Sequence, residues 1–388
     1  RYSWSKGVRA LAGKISVFKE WDRKVGTMKI LEEIISEDNA IKEALGDWHT
    51  RRKPRPCGLT VHPGIGCDYA CAYCYIPDMG FPFKSKPYGL SGLQLAYAIA
   101  SNPHVALGLN GTFLAYGSVT EPFLEKIRNK TYEYLKATTS YLGNPTQIST
   151  KAYISYDDAL KLKEITNGKL SILVTIITLK HYKKLEGNAP SPNLRFQTLY
   201  NLRRAGFNPV LFFRPIIPGV NDYELADIVE EALSYGVKRV LVGSLRVTFR
   251  ILAKFRTLNI PTNEIEKRIL REPKSFREQV PVRTADIKRK IAKICDKLGV
   301  KVYYQACQVC AEDFNIPCCL PCSVKYECCR ETVSYDVGEV KVFLETLCKT
   351  RVEKIRDEEH VVRIKGRIPQ EYAEFLRWVI KKKIIVIR

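Results

Sequence analysis

An α/β fold, a partial (β/α)6 barrel, is predicted by three features of this sequence. From about residue 57, short β-branched or aromatic runs alternate with amphipathic stretches of ten to eighteen residues, the pattern of parallel strands joined by covering helices. Several of those stretches open on Pro, Ser or Asp and close at a glycine such as Gly206 or Gly236, as helices do at their two ends. With 388 residues, 45% of them hydrophobic, the chain can bury a barrel-sized core plus smaller additions, which excludes a disordered protein.

The elements follow in order. Strands are expected at Gly58–His62, Thr112–Gly117, Thr146–Lys151, Leu170–Ile177, Pro209–Ile216 and Val237–Ser244. Helices are expected at Leu90–Ala100, Phe123–Thr139, Asp157–Thr166, Pro192–Ala205 and Asp222–Tyr235. The alternation then breaks into a basic insertion, 245–283, before a helix at Thr284–Leu298 and a strand at Val300–Gln305. The barrel therefore spans residues 57–305, preceded by a basic and aromatic arm, 1–56. A cysteine-rich block, 306–332, and a small α+β appendage, 333–388, complete the chain; the appendage reads as strand Val361–Lys365, helix Pro369–Lys381 and strand Lys383–Arg388. In such a barrel the loops after the strands gather on one face, so chemistry is expected there.

A formal net charge of +22 points to a polyanionic partner. Residues 1–30 hold eight Lys and Arg against Glu20 and Asp22, interleaved with Tyr2, Trp4, Phe18 and Trp21. Half of the net charge lies between Lys238 and Lys297, where seventeen bases face six acids. The bland alternative is a set of solvated helix faces in a heat-adapted protein, a source that abundant Ile, Lys, Val, Arg and Glu also fit. No run approaches the roughly 18 apolar residues of a membrane span, and no export signal is legible, so a soluble cytoplasmic protein is expected. Thirteen cysteines in that setting read more naturally as metal ligands than as disulfides.

Three of them are spaced CxxxCxxC just after the first strand: Cys67, Cys71 and Cys74. Three thiolates on one short loop can reach three irons of a [4Fe-4S] cubane and leave the fourth open, whereas structural iron–sulfur or zinc sites take four protein ligands. A zinc site with a remote fourth ligand is the competing reading. Further along, Gly117 and Ser118 end the second strand, Lys151 and Arg214 end the third and fifth as cations suited to a carboxylate, and Thr175 ends the fourth.

With Tyr73 between the last two cysteines, the motif resembles that of the radical S-adenosylmethionine (SAM) superfamily. Within it the chain is most similar to the spore photoproduct lyase-like, or DNA repair photolyase, group. That likeness rests on Thr60-Val61-His62-Pro63, Gly66-Cys67, Cys74-Tyr75 and the run Tyr116 to Pro122. It continues through Ser149-Thr150-Lys151, Ala189 to Pro192 and Arg214 to Asp222, covering residues 57 to 244. The resemblance implies a [4Fe-4S] cluster whose open iron chelates SAM and cleaves it reductively to a 5′-deoxyadenosyl radical, which abstracts hydrogen from a substrate. It places Tyr73 beside the adenine and implies SAM contacts from Gly117, Ser118, Thr120, Lys151, Thr175, Arg214 and Pro218, although Pro218-Gly219 also reads as a plain turn. It further implies an electron donor such as ferredoxin or flavodoxin. In the lyase a cysteine at the end of the second strand donates hydrogen to the product radical. Gly117 stands there here, which puts that route in doubt, so Tyr75 or Tyr116 is the candidate relay, against the reading of both as packing residues.

Cys307, Cys310, Cys318, Cys319, Cys322, Cys328 and Cys329 form a second constellation of seven cysteines in twenty-three residues. A subset could hold a second [4Fe-4S] cluster or a zinc ion, and disulfides are the third alternative. The expected substrate is a nucleic acid, for DNA repair or RNA modification, with Arg246, Arg250, Lys254 and Arg256 of the insertion holding phosphates. Two rivals stand beside it: a peptide-modifying radical SAM maturase with an auxiliary cluster, and a non-catalytic zinc-stabilised RNA-binding protein.

Overall fold

The computed structural model describes residues 14–55, 58–317 and 333–387. Seven parallel strands form one sheet in sequential order: β1 (Leu59–Val61), β2 (Leu114–Tyr116), β3 (Thr146–Thr150), β4 (Ser171–Thr175), β5 (Val210–Ile216), β6 (Arg239–Ser244) and β7 (Lys301–Tyr303). All six strands read from the sequence are present, and the run expected at Val300–Gln305 adds the seventh by pairing with β6. The two edge strands do not meet, so the barrel is partial.

Local chemistry places the helices. Ser91 and Gln94 form a capping box that starts Gly92–Ser101. Ser155 caps Tyr156–Ile165 through the Asp158 N–H, and Pro192 opens Pro192–Arg204 at the first turn, where its missing N–H costs nothing. The strands carry near-continuous apolar runs, as in Ser171–Thr175, where every residue is buried, because helices cover one face and the barrel interior the other.

Residues 14–55 fold into helices Val17–Ile35, Asp38–Gly46 and Trp48–Arg51. Phe18 and Trp21 pack edge-on to Phe343, and Trp21 also packs edge-on to Phe375, so these aromatics fill a second core with the appendage instead of offering faces to bases. Tyr2 and Trp4 lie outside the described residues. The appendage holds the expected strands and helix, plus helix Val337–Cys348 and strand Lys354–Asp357, in a three-stranded sheet.

Cys307 and Cys310 lie on helix Ala306–Asp313, buried in that second core. The helix caps the N-terminal ends of the strands. Gln147 near the start of β3 donates to the Ala306 carbonyl at 3.1 Å, and Arg239, the first residue of β6, pairs with Asp313 at 2.6 Å. Cys318, Cys319, Cys322, Cys328 and Cys329 lie outside the described residues.

The basic insertion leaves the C-terminal end of β6 and returns as a strap. Arg246–Val247 pairs antiparallel with Val280–Pro281, and helices Phe249–Thr257 and Asn263–Glu266 lie between. No helix among the described residues is long and apolar enough to cross a membrane.

Candidate active site

A hollow at the C-terminal ends of β1 to β4 is lined by Cys67, Cys71 and Cys74 on the loop after β1, by Gly117 to Glu121 after β2, by Ser149 to Lys151, and by Thr175. Its empty space, counted out into open solvent, is about 520 Å³. Burial pushes the Cys67 thiol up to about 11 and the Cys71 thiol up to about 12, and raises Cys74 as well. Thiols so placed ionise readily only against a metal's charge.

Tyr73 lies between two of these cysteines in sequence and is held by a network built on the buried Glu186 and Arg195. Its hydroxyl donates to Glu186, whose other carboxylate oxygen receives Nη1 of Arg195 at 2.5 Å. Arg195 also donates to the carbonyls of Pro190 and Thr175, at 2.8 and 3.2 Å. Lys151 closes the group, with Nζ 4.0 Å from Glu186 and 5.6 Å from the centre of the Tyr73 ring. Burial works against the Glu186 charge, but Arg195 and Lys151 more than offset it and hold the carboxyl below its ordinary range. Glu121 is the converse: burial pushes its carboxyl up, against donors from the Thr150 hydroxyl at 2.6 Å and the Lys151 N–H at 2.8 Å.

Gly117 is required by geometry. Its φ is +93°, and a Cβ there would sit 2.5 Å from the Ser149 carbonyl oxygen, so the position excludes a cysteine or any other side chain without rearrangement. Thr120 presents a different signal. The residue lines the hollow, and its buried hydroxyl has no hydrogen-bond partner among the described residues, a deficit that a bound ligand would satisfy.

The loop carrying Cys74 is latched to the strap. Arg250 donates to both Asp78 carboxylate oxygens, at 2.8 and 3.0 Å, and to the Cys74 carbonyl; Thr248 adds a 2.9 Å bond to Asp78. The Arg250 guanidinium also lies over Phe83, 5.7 Å from the ring centre. Arg250 is therefore engaged with the cysteine loop, where a free phosphate-binding cation was expected.

Residues 61–232 match the model of the Radical SAM superfamily. The chain carries a radical SAM domain. No curated protein matches the sequence. The fold is similar to spore photoproduct lyase complexed with dinucleoside spore photoproduct, with a TM-score of 0.55 at 12% identity over 67% of this chain and 81% of that one. A doubly substituted form of that lyase with bound AdoMet and dinucleoside spore photoproduct gives 0.54 at 12% identity, over 67% and 81%. Streptococcus suis SuiB bound to S-adenosylmethionine gives 0.43 at 14% identity, over 66% and 52%.

A radical SAM domain implies a [4Fe-4S] cluster and SAM, and the residues present fit both. Among the described residues no three His, Cys, Asp or Glu converge on a single ion position; a cubane asks for one thiolate on each of three irons instead. Tyr73, Gly117, Ser118, Thr120, Lys151 and Thr175 share the hollow with the cysteines. Arg214, Pro218, Tyr75 and Tyr116 do not line it. Tyr116 is buried, with its hydroxyl 3.2 Å from that of Thr138 on the helical layer. Arg214 stands exposed at the end of β5 beside Gly243, and its charge lowers the pKa of half-buried Lys288, which burial already depresses.

Glu121, Glu186, Arg195 and Asp78 escaped sequence reasoning as site residues. Only Glu121 left a trace, inside the run quoted for the family likeness. Glu186 follows two lysines in what reads as a solvated turn, and nothing in its spacing announces that it will be wholly buried.

Proposed function

We propose that this radical SAM enzyme directs its radical at a nucleic acid. The cluster and SAM, when bound, supply the radical by reductive cleavage of the sulfonium C–S bond. The chain's own residues hold the parts in place. Cys67, Cys71 and Cys74 are the cluster ligands. Lys151 is the cation facing the SAM carboxylate, the backbone of Gly117 and Ser118 and the hydroxyl of Thr120 meet polar groups of SAM, and Tyr73 packs beside the adenine with its ring angle set by Glu186. Thr175 bounds the same hollow. Arg214 and Lys288 pair with no acid among the described residues and suit a substrate anion at the mouth.

The observation that carries the nucleic-acid reading is the charge left over on the strap. Three of its four acids are absorbed internally, Glu266 by Arg256, Glu264 by Lys267 and Arg268, and Glu278 by Arg271, which leaves Glu272 as the one exposed acid without an ion pair to a described residue. Arg246, Lys254, Lys274, Arg277 and Arg283 are exposed and form no ion pair with a described residue. These free cations stand on a segment rooted at the reaction face and bolted to the cluster loop, where a phosphate backbone would meet them.

Reversing Arg246, Lys254 and Arg277 to Glu together should weaken binding of tRNA or DNA strongly and flatten its salt dependence, since each neutralised phosphate contributes about −0.9 to the log–log slope on duplex DNA. Comparing modified nucleosides in the copurifying polymer with and without the enzyme then identifies the substrate. No binding by the wild type at low salt would overturn the reading. The peptide-modifying alternative, with an auxiliary cluster touching substrate, is disfavoured because Cys307 and Cys310 sit at the other end of the barrel. We assign those two cysteines to a second metal centre that ties barrel to appendage.

A further inference from the structure

The strap exposes an aromatic pair that no internal contact explains. Phe276 is 76% exposed and Phe249 38% exposed, yet their rings meet edge to face at 5.8 Å. A hydrophobic ring so far out of the core is a liability unless something covers it. Its neighbourhood says what. Phe276 is flanked by Lys274 and Arg277, and Phe249 opens the helix that carries Lys254, three residues after Arg246. All four cations are exposed and none of their side chains forms an ion pair with a described residue, although the Lys274 backbone N–H bonds the Glu278 carboxylate. Phe249 also directly precedes Arg250, which holds the Cys74 carbonyl, so the pair stands beside the cluster loop. Exposed aromatic faces interleaved with free cations form the surface that binds single-stranded nucleic acid, where rings stack on bases and cations track phosphates. A duplex, with its bases already stacked, offers these rings nothing; a second protein surface would be repelled by the charges unless strongly acidic.

We propose that Phe249 and Phe276 form a stacking platform for unpaired bases, so that this enzyme takes its target nucleotide from a single-stranded or extruded segment whose phosphates lie along Arg246, Lys254, Lys274 and Arg277. The proposal rests on the nucleic-acid reading above and narrows it.

The test uses full-length holoenzyme with fluorescein-labelled fifteen-nucleotide dT and rU strands, and with a DNA duplex of the same length, across a salt series. The single strands should bind tighter than the duplex, and the dT and rU arms separate a DNA substrate from an RNA one. Phe276→Ala should weaken single-strand binding at least fivefold, the lower end of ~1–3 kcal/mol per stacked base, while leaving the salt slope unchanged. Phe276→Trp should retain or tighten binding, and Phe276→Leu should behave like Ala, which separates stacking from simple apolar burial. Arg277→Ala should instead flatten the slope by about 0.7, the contribution of one phosphate on a single strand. Unfolding midpoints verify that each variant is folded. Failure of the wild type to bind any strand sinks both readings. Tight wild-type binding that prefers duplex, or that ignores the Phe276 substitutions, removes the platform and leaves the nucleic-acid reading standing. A concentration-dependent dimer abolished by Phe276→Ala, with oligonucleotide affinity unchanged, would assign the ring to a second copy of the chain and overturn the platform.

Discussion

Replacing Arg250 by Ala tests how the basic strap is coupled to the cluster loop. The substitution removes two charge-assisted bonds to Asp78 and the donor to the Cys74 carbonyl. Breaking a fully buried ion pair costs ~3–5 kcal/mol, and a charged hydrogen bond ~1.5–3 kcal/mol. The Asp78 side chain is 5% exposed but that of Arg250 is 30% exposed, and Thr248 keeps one bond to the stranded carboxylate. We therefore place the loss near the low end, about 2 kcal/mol. At ~2–4 °C per kcal/mol for a domain of this size class, the unfolding midpoint should fall by roughly 4–8 °C. Iron content after anaerobic reconstitution should fall too, because the loop presenting Cys74 loses its anchor. A double-mutant cycle with Asp78→Ala should return a coupling of at least ~1 kcal/mol, and Arg250→Lys, which keeps the charge but not the fork, should fall between wild type and Ala. Additive single effects with normal iron content would refute the latch.

Ala at Cys67, Cys71 or Cys74 should abolish SAM cleavage, and iron and zinc analysis of the triple variant reports on the second centre: about four residual irons per chain for a cubane held by four thiolates, or one zinc for a structural site. Neither metal would refute the assignment of Cys307 and Cys310. Glu186→Ala should destabilise the protein by ~3–5 kcal/mol, because it strands the Arg195 charge in a fully buried site; Tyr73→Phe removes only the hydroxyl and should cost ~1 kcal/mol, and equal losses in the two variants would contradict the network. Lys24 is buried, donates to the Asn102 and Val105 carbonyls, and burial lowers its pKa from the ordinary 10.5 to about 7. The folded state thus binds fewer protons than the unfolded one between those values, and stability rises with pH across that window by up to ~1.4 kcal/mol per unit. The stability of Lys24→Met relative to wild type should accordingly be greatest at and below pH 7 and shrink towards pH 10; a difference independent of pH would show that folding does not lower the Lys24 pKa.

The sequence by itself determined the six strand–helix units, the spacing of Cys67, Cys71 and Cys74 and their place after the first strand, because each is a local matter: periodicity, helix ends and ligand spacing are written within a few residues of one another. Gly117 was legible as the residue that ends the second strand for the same reason, although the clash with Ser149 that enforces a glycine there comes from the neighbouring strand. The tertiary structure alone decided which charges are free. Arg250 and Arg277 read alike in a basic stretch, yet one is held by Asp78, 172 residues away, and the other faces solvent. Trp21 reads like a base-stacking ring until helix Val337–Cys348 and helix Gln370–Ile380 close over it. Glu186 reads like a solvated acid until Tyr73, Lys151 and Arg195 arrive from three other segments. A charge's partner and an aromatic's burial depend on residues distant in the chain, and no local pattern encodes them.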